Sequence, residues 1–408
     1  MRAYERFLRS VSVHTTSDPA SETFPSAERE LDLAKMLAND MREIGMEDVD
    51  VDSYGYVYGF LSATPGMEQL PPLGFIAHMD TSPEASGEHI RPQLIEHYDG
   101  GPVTLPGTGD VLDPEAFPGL RKLAGMTLIT TDGTTLLGAD DKAGIAEILT
   151  ACQQLISSRI PHGRICVAFT PDEEIGRGVE HFDLEHFGAL YAYTIDGGEE
   201  GEISYETFNA ARATVRISGL SVHPGSSKGR MINASLLAME YNALLPAAEI
   251  PRCTENYEGF FHLTSMSGSC EKAELNYIIR DHDSALFEHR KGQLRKAAAI
   301  LNERYGREVA CVETADTYYN MREKILPHFH LVEHAQAAVL QAGMTPRIEP
   351  VRGGTDGCQL SYKGLPTPNL CTGGAAFHGR FEHIAAESMD RCTRMILLLM
   401  TEQSPRVE

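Results

Sequence analysis

Phe75-Ile76-Ala77-His78-Met79-Asp80 is an apolar run that ends in two polar side chains. It reads as a β-strand that delivers an imidazole and a carboxylate at its carboxyl end. Side chains at i and i+2 leave an extended chain on the same face, so Asp80 can lie behind His78 and accept its second ring N–H. That contact would fix the tautomer and raise the basicity of the outward-facing nitrogen. The arrangement recurs. Thr170-Pro171-Asp172-Glu173-Glu174-Ile175-Gly176 follows the apolar stretch ending at Phe169, and Asp196-Gly197-Gly198 follows the stretch ending at Ile195. In open α/β sheets ligands gather at the carboxyl ends of strands.

Working outward from these runs, strands alternate with helices. Residues 26–44 form an amphipathic helix that Ser26 can cap and Gly45 stops. Residues 56–61, 73–77, 127–131, 165–170 and 191–195 read as strands, 134–137 as a short one, 141–156 as a helix, and 83–125 as a loop rich in Pro and Gly. This order implies an α/β domain with a mixed, largely parallel sheet flanked by helices. The pattern changes near Phe208. Strands at 211–217, 260–266, 275–279 and 309–313 and helices at 232–245 and 284–305 suit a small two-layer α/β insert with an antiparallel sheet. From residue 320 the first pattern resumes, with helices at 323–342 and 386–400. The expected organisation is a catalytic domain in two segments, residues 1–207 and residues 320–408, interrupted by a lid domain over residues 208–319.

The bulk numbers exclude some functions. The chain has 408 residues, suited to about two domains. With 35 Lys plus Arg against 58 Asp plus Glu, the formal charge is −23, which argues against nucleic acid as a partner. The first residues lack the apolar centre of a signal peptide. The longest apolar run, 395–400, falls far short of the roughly 20 residues that span a bilayer. The 8 Cys include no C-x-x-C pair. They read as buried thiols in a reducing compartment, neither disulfides nor zinc ligands, and the expected location is cytoplasmic.

Imidazole and carboxylate are the side chains that hold zinc or a similar divalent ion. Each candidate also has an ordinary reading. His78 can be a surface His beside a strand-end Asp. Asp140, after the Gly138-Ala139 turn, can be a helix cap, although one cap does not need both Asp140 and Asp141. Glu173 and Glu174 can form a solvated acidic turn, Asp196 a plain turn, and His378 in its Gly-rich loop an exposed His. Taken together, two His, three ligand carboxylates and one spare Glu are what two metals and a general base require.

In order and spacing these motifs resemble the co-catalytic di-zinc aminopeptidase/carboxypeptidase family, and within it the branch that cleaves tripeptides. The stretches that carry the resemblance are Ala77-His78-Met79-Asp80-Thr81, Leu137 to Gly144, Thr170 to Gly176, Thr194-Ile195-Asp196-Gly197, Val222-His223-Pro224-Gly225-Ser226-Ser227-Lys228-Gly229 and Arg352-Gly353-Gly354-Thr355-Asp356-Gly357. The resemblance implies two Zn²⁺ per subunit, with Mn²⁺ or Co²⁺ as substitutes. His78 and Asp196 would hold one ion, Glu174 and His378 the other, and Asp140 would bridge them. Asp80 would orient His78, and Glu173 would be the general base and acid. A cis peptide bond would fall at Asp140-Asp141. The branch more often reads His-Gly-Lys-His-Glu-Phe where this chain has His378-Gly379-Arg380-Phe381-Glu382-His383, which makes His383 a poor ligand candidate.

The resemblance also implies substrate handles. His223 would polarise the scissile carbonyl, from its own or a partner subunit of a homodimer. Arg280 would clamp a peptide carboxylate, with a surface pairing to Asp281 or Asp283 as the plain reading. Arg352, Lys228 and Asn233 are weaker candidates. The implied reaction is hydrolysis by metal-activated water of a short peptide with a free N-terminus, a tripeptide above others. Alternatives are a related dipeptidase, carboxypeptidase or N-acyl-amino-acid deacylase, or a metal-free peptide-binding protein on the same fold.

Overall fold

The structure, a computed structural model, describes residues 1–401. The protein is α/β and divides into two compact units. One comprises Met1–Tyr205, Glu323–Glu349 and the residues from Thr355 onward; the other comprises Glu206–Arg322 and Pro350–Gly354. The short return Pro350–Gly354, which carries Arg352, therefore groups with the second unit and not with the residues that follow 320.

The first unit is built on an eight-stranded mixed sheet. Its strands are β1 (Glu47–Val51), β2 (Val57–Leu61), β3 (Leu73–His78), β4 (Ile165–Thr170), β5 (Tyr191–Gly197), β6 (Glu202–Ser204), β7 (Arg347–Ile348) and β8 (Asn369–Cys371). They lie in the order β1-β2-β4-β3-β5-β8-β6-β7. The central four, β4, β3, β5 and β8, run parallel. Every residue of β2, β3 and β4 is buried, as expected for strands covered on both faces. Phe75, Ile76, Val167 and Phe169 lie in this core, and each such side chain contributes about 1.5–3 kcal/mol by leaving water.

The helix Ala139–Ser158 packs against β3 and β5. Gly144 makes that approach possible: a Cβ there would lie 2.0 Å from the carbonyl oxygen of Ile195. The residue fixes the distance between the helix whose first turn carries Asp140 and the strand whose end carries Asp196. A second, four-stranded sheet joins Gly374–Ala375, His383–Ala385, Leu128–Thr130 and Gln93–Ile95. Gln93–Ile95 lies within the segment expected to be loop.

Several local expectations are corrected. The first long helix runs Glu30–Ile44, with Gly45 at φ 94° ending it. Ser26 is not its cap; its backbone N–H donates to Asp172 Oδ2 at 2.8 Å. Residues 134–137 form no strand. The segment 323–342 is not one helix but Arg322–Ile325, a short 3₁₀ turn and His330–Gln341. Pro327 lies at the break, where it lacks the N–H that a continuous helix needs.

The second unit is a four-stranded antiparallel sheet in the order Phe260–Gly268, Lys272–Asp281, Asn209–Ser218, Ala310–Tyr318. Ala213, Val215 and Ile217 alternate with Arg212, Thr214 and Arg216 along one strand. The first set packs with Leu275, Tyr277, Ile279, Leu294 and Leu301. The helices Ala234–Ala243 and Ser284–Tyr305 cover that face. Asn233 accepts from Ser235 and Leu236 N–H as the N-cap of the first helix, which commits its side-chain oxygen to the fold. Five cysteines are buried, Cys270 is half-buried, and Cys253 and Cys311 are exposed, against the expectation that all are buried; all eight are free thiols. No helix among the described residues is long and apolar enough to cross a membrane.

Candidate metal centre

The candidate ligands of the first unit converge. His78, at the end of β3, is 2% exposed. Its Nε2 lies 2.8 Å from Asp140 Oδ1 and 3.4 Å from Asp196 Oδ1. His378 Nε2 lies 3.1 Å from Asp140 Oδ2 and 3.1 Å from Glu174 Oε2. Asp140 thus turns one oxygen to each imidazole. One side of it is occupied by His78 and Asp196, the other by His378 and Glu174. Asp140 follows Gly138, whose φ of 77° makes the turn before the helix, and the Asp140-Asp141 peptide is cis.

Asp80 stands behind this layer, fully buried. Its Oδ1 lies 3.4 Å from His78 Nδ1. Its two oxygens also accept from Glu173 N at 3.0 Å and Glu174 N at 3.1 Å. A single carboxylate therefore sets both the His78 ring and the backbone of the Glu173-Glu174 turn. The backbone carbonyl of Asp80 shares the contact to Nδ1, at 3.1 Å.

Asp141 is also within reach: His78, Asp141 and Asp196 offer ligand atoms within 4.8 Å of one another, as do His78, Asp140 and Glu174. However, Asp141 Oδ2 accepts from His78 N at 3.1 Å and Oδ1 from Gly144 N at 3.3 Å. Its oxygens are spent on backbone, whereas those of Asp140 face the imidazoles. Geometry favours Asp140 as the ligand and Asp141 as a brace. The sequence marks the two acids as a pair but gives Asp141 no role of its own.

The electrostatics show a surplus of acid. Burial and Asp196 push the Glu173 carboxyl well above its ordinary value, with Asp356 and Glu174 adding to the effect against His78. Burial and Asp140 raise Glu174 to about 7, and Asp196 is raised to about 6, chiefly by burial. Burial alone would lower His378, but hydrogen bonds to Asp140 and Glu174 raise it to about 11. Carboxylates crowded beyond what two imidazoles can neutralise are stabilised by cations. Glu174 Oε1 is buried with no hydrogen-bond partner, an oxygen positioned for a ligand role. The donor set of imidazole and carboxylate fits zinc and its neighbours.

Asp356 is a further buried acid, one to which the sequence alone assigns no role. It accepts from Thr170 Oγ1 at 2.7 Å, and burial raises it to about 7. The Gly-Gly-Thr-Asp-Gly motif is the signal that marks it, and Thr355 caps its helix through Cys358 N at 3.2 Å.

The substrate candidates, Lys228 and Asn233 included, lie in the second unit. His223 is exposed in a loop, and its Nδ1 accepts from Gly225 N at 3.2 Å. A neutral ring so held carries its proton on Nε2, which makes that nitrogen a donor. Arg280 rests with its guanidinium carbon 5.2 Å from the centre of the Tyr318 ring. Asp281 is instead paired with Arg290 at 2.8 Å, and Asp283 accepts from Leu286 N at 2.8 Å, so neither neutralises Arg280. Arg352 donates to the carbonyls of Asn256 at 2.7 Å, Glu258 at 2.8 Å and Thr254 at 3.3 Å. Its guanidinium is committed to tying down that loop. His383 turns Nδ1 to the Phe381 carbonyl at 2.8 Å.

A fold with acids and imidazoles gathered at the carboxyl ends of parallel strands defines a class, and the chain belongs to it: it is a member of peptidase family M20/M25/M40, matched over residues 131–402, and hence a metallopeptidase. Among curated proteins it is similar to Peptidase T of Geobacillus kaustophilus (strain HTA426), 53% identical over 395 residues that cover 96% of each chain. Among solved structures, aminopeptidase PepT of Bacillus cereus superposes with a TM-score of 0.78 at 24% identity, covering 99% of this chain and 98% of that one. The Bacillus subtilis YXEP protein, a dinuclear metal binding peptidase of the M20 family, gives 0.65 at 15% identity over 98% of this chain and 99% of that one. These two likenesses establish the fold.

Proposed function

We propose that this chain is an aminopeptidase that releases the N-terminal residue of short peptides, tripeptides in particular, with two zinc ions in the acid-rich centre. The observation that carries the reading is Asp140, whose two oxygens face His78 and His378 separately, beside an acid, Glu173, whose backbone is fixed by Asp80. The 53% identity to Peptidase T supports the peptide class.

His78 and Asp196 would hold one ion, Glu174 and His378 the other, with Asp140 between them. Bound there, divalent ions acidify water and polarise a carbonyl at neutral pH. Glu173 takes the proton of the attacking water and returns it to the departing amine. Asp80 holds the Glu173 amide and the His78 ring in register, so base and ligand move together. In the second unit, the Nε2–H of His223 is a donor for the carbonyl oxygen that gains charge. Arg280 is the candidate for the peptide carboxylate.

The test is a peptide-length series of Ala-Ala, Ala-Ala-Ala, Ala-Ala-Ala-Ala and N-acetyl-Ala, together with the mixed tripeptide Ala-Gly-Leu, whose two ends differ in mass and so show which residue is released. Fastest release of free Ala from the tripeptide supports the reading. Faster release of acetate from N-acetyl-Ala, or removal of the C-terminal residue, overturns it.

A further inference from the structure

Glu382 has no place in the chemistry above, yet the residue is 1% exposed and the hydrogen bonds of its carboxylate all run to one segment. Oε2 accepts from Leu137 N at 2.7 Å and Gly138 N at 2.9 Å. Oε1 accepts from Asp140 N at 3.1 Å. Backbone N–H groups turned inward in this way form an anion-binding concavity, and here a side chain of the same chain fills it. The loop so gripped is the one that delivers Asp140.

The other end of Glu382 is equally fixed. Its own N–H donates to the Gly379 carbonyl at 3.1 Å, closing a turn directly after His378. The next residue starts the strand His383–Ala385, which pairs with Leu128–Thr130, His383 opposite Thr130. Glu382 is therefore a strut. Its backbone belongs to the segment that carries His378, and its carboxylate holds the segment that carries Asp140. Those two side chains meet at 3.1 Å. Removing the carboxylate would leave these three donors buried without that acceptor.

We propose that Glu382 is a positioning residue that sets the Asp140–His378 spacing, and with it the affinity of one of the two ion sites. The proposal rests on the metallopeptidase reading above. Groups that hold a ligand in place typically govern metal affinity or activity by about 10–100-fold when removed.

The experiment compares the wild-type chain with Glu382→Gln. Both are stripped with chelator and titrated with zinc against a chromophoric competitor, and kcat and KM are then measured on Ala-Ala-Ala. Gln keeps the size but turns an NH₂ toward backbone donors. The expected result is a Kd for the weaker ion raised about tenfold or more, and kcat lowered about 10–100-fold. KM and the circular dichroism spectrum should stay close to wild type. If Glu382→Gln does not fold, Glu382→Asp keeps the charge and shortens the reach, and the same shift in zinc affinity is expected at smaller size. A variant with wild-type zinc affinity and kcat overturns the proposal even if its Tm falls, because that is the behaviour of a merely structural acid. A wild-type chain that takes up no zinc overturns the functional reading, and this inference with it.

Discussion

The metal centre and the second unit place their candidate side chains on opposite terms. In the centre, His78 and Asp80 are buried at strand ends, and the acids are fixed by backbone N–H groups: Asp80 by Glu173 and Glu174, Asp141 by His78 and Gly144. In the second unit, His223 is exposed on a loop and held by one contact to Gly225, and Arg280 leans on a tyrosine ring. The difference is chemical. A group that must hold a charge or move a proton at a stated point needs preorganisation. Recognition of the end of a substrate, the part proposed for Arg280, tolerates an adaptable setting.

Substitutions can break or sharpen that contrast. The largest effect is expected from Glu173→Gln: kcat should fall by about 10²–10⁴-fold, while zinc content by atomic absorption stays at the wild-type value. Near-normal turnover would remove Glu173 from its role as base. Asp80→Asn comes next, with about 10–100-fold lost in activity or zinc affinity, because the amide cannot accept at both oxygens. An unchanged variant would show that the preorganisation of the centre does not run through Asp80.

In the second unit, Arg280→Ala should act differently. A lost charge-assisted pair of about 1.5–3 kcal/mol corresponds to KM raised roughly 10–100-fold, with kcat little changed. Peptide amides, which lack the carboxylate, should show no such difference between wild type and variant. The smallest effect is expected from Asn233→Ala. It should cost about 1 kcal/mol of stability in a denaturant titration, from the lost helix cap, and leave kcat/KM untouched. A change in KM would restore Asn233 as a substrate contact.

The sequence revealed the two regions unequally. Strands β3, β4 and β5 were legible because a strand buried on both faces must be apolar along its length, and a polar break then marks its end. The helix Ser284–Tyr305 was read with the bounds it has in the structure. Strands β6 and β7 were not: Glu202–Ser204 and Arg347–Ile348 are short and carry no pattern, and tertiary pairing alone makes them strands. The break at Pro327 was missed because the apolar spacing continues across it.

In the site, the facing residues were candidates from strand ends, acid pairs and, for His378, a Gly-rich loop. Most of the residues that brace them could not; Asp80, two places along the strand from His78, is the exception. Glu382 sits in Gly379-Arg380-Phe381-Glu382-His383, where a charged flank suggests solvent. Only the fold shows three backbone donors waiting for it. Asp141 was obscured by its neighbour, since two adjacent acids look alike until their directions are known. Arg352 was a weaker substrate candidate on resemblance alone, and nothing in the sequence signalled its hydrogen bonds to the 254–258 loop.

The central claim is that one acid-rich centre in the first unit holds two ions and that these are needed for peptide cleavage. The direct measurement is zinc per chain alongside Ala-Ala-Ala hydrolysis on one preparation, before chelation, after it, and during stepwise return of zinc. The account predicts hydrolysis lost on chelation and restored as the second equivalent binds. Hydrolysis that persists in the stripped protein, or full activity regained at one equivalent, would contradict it.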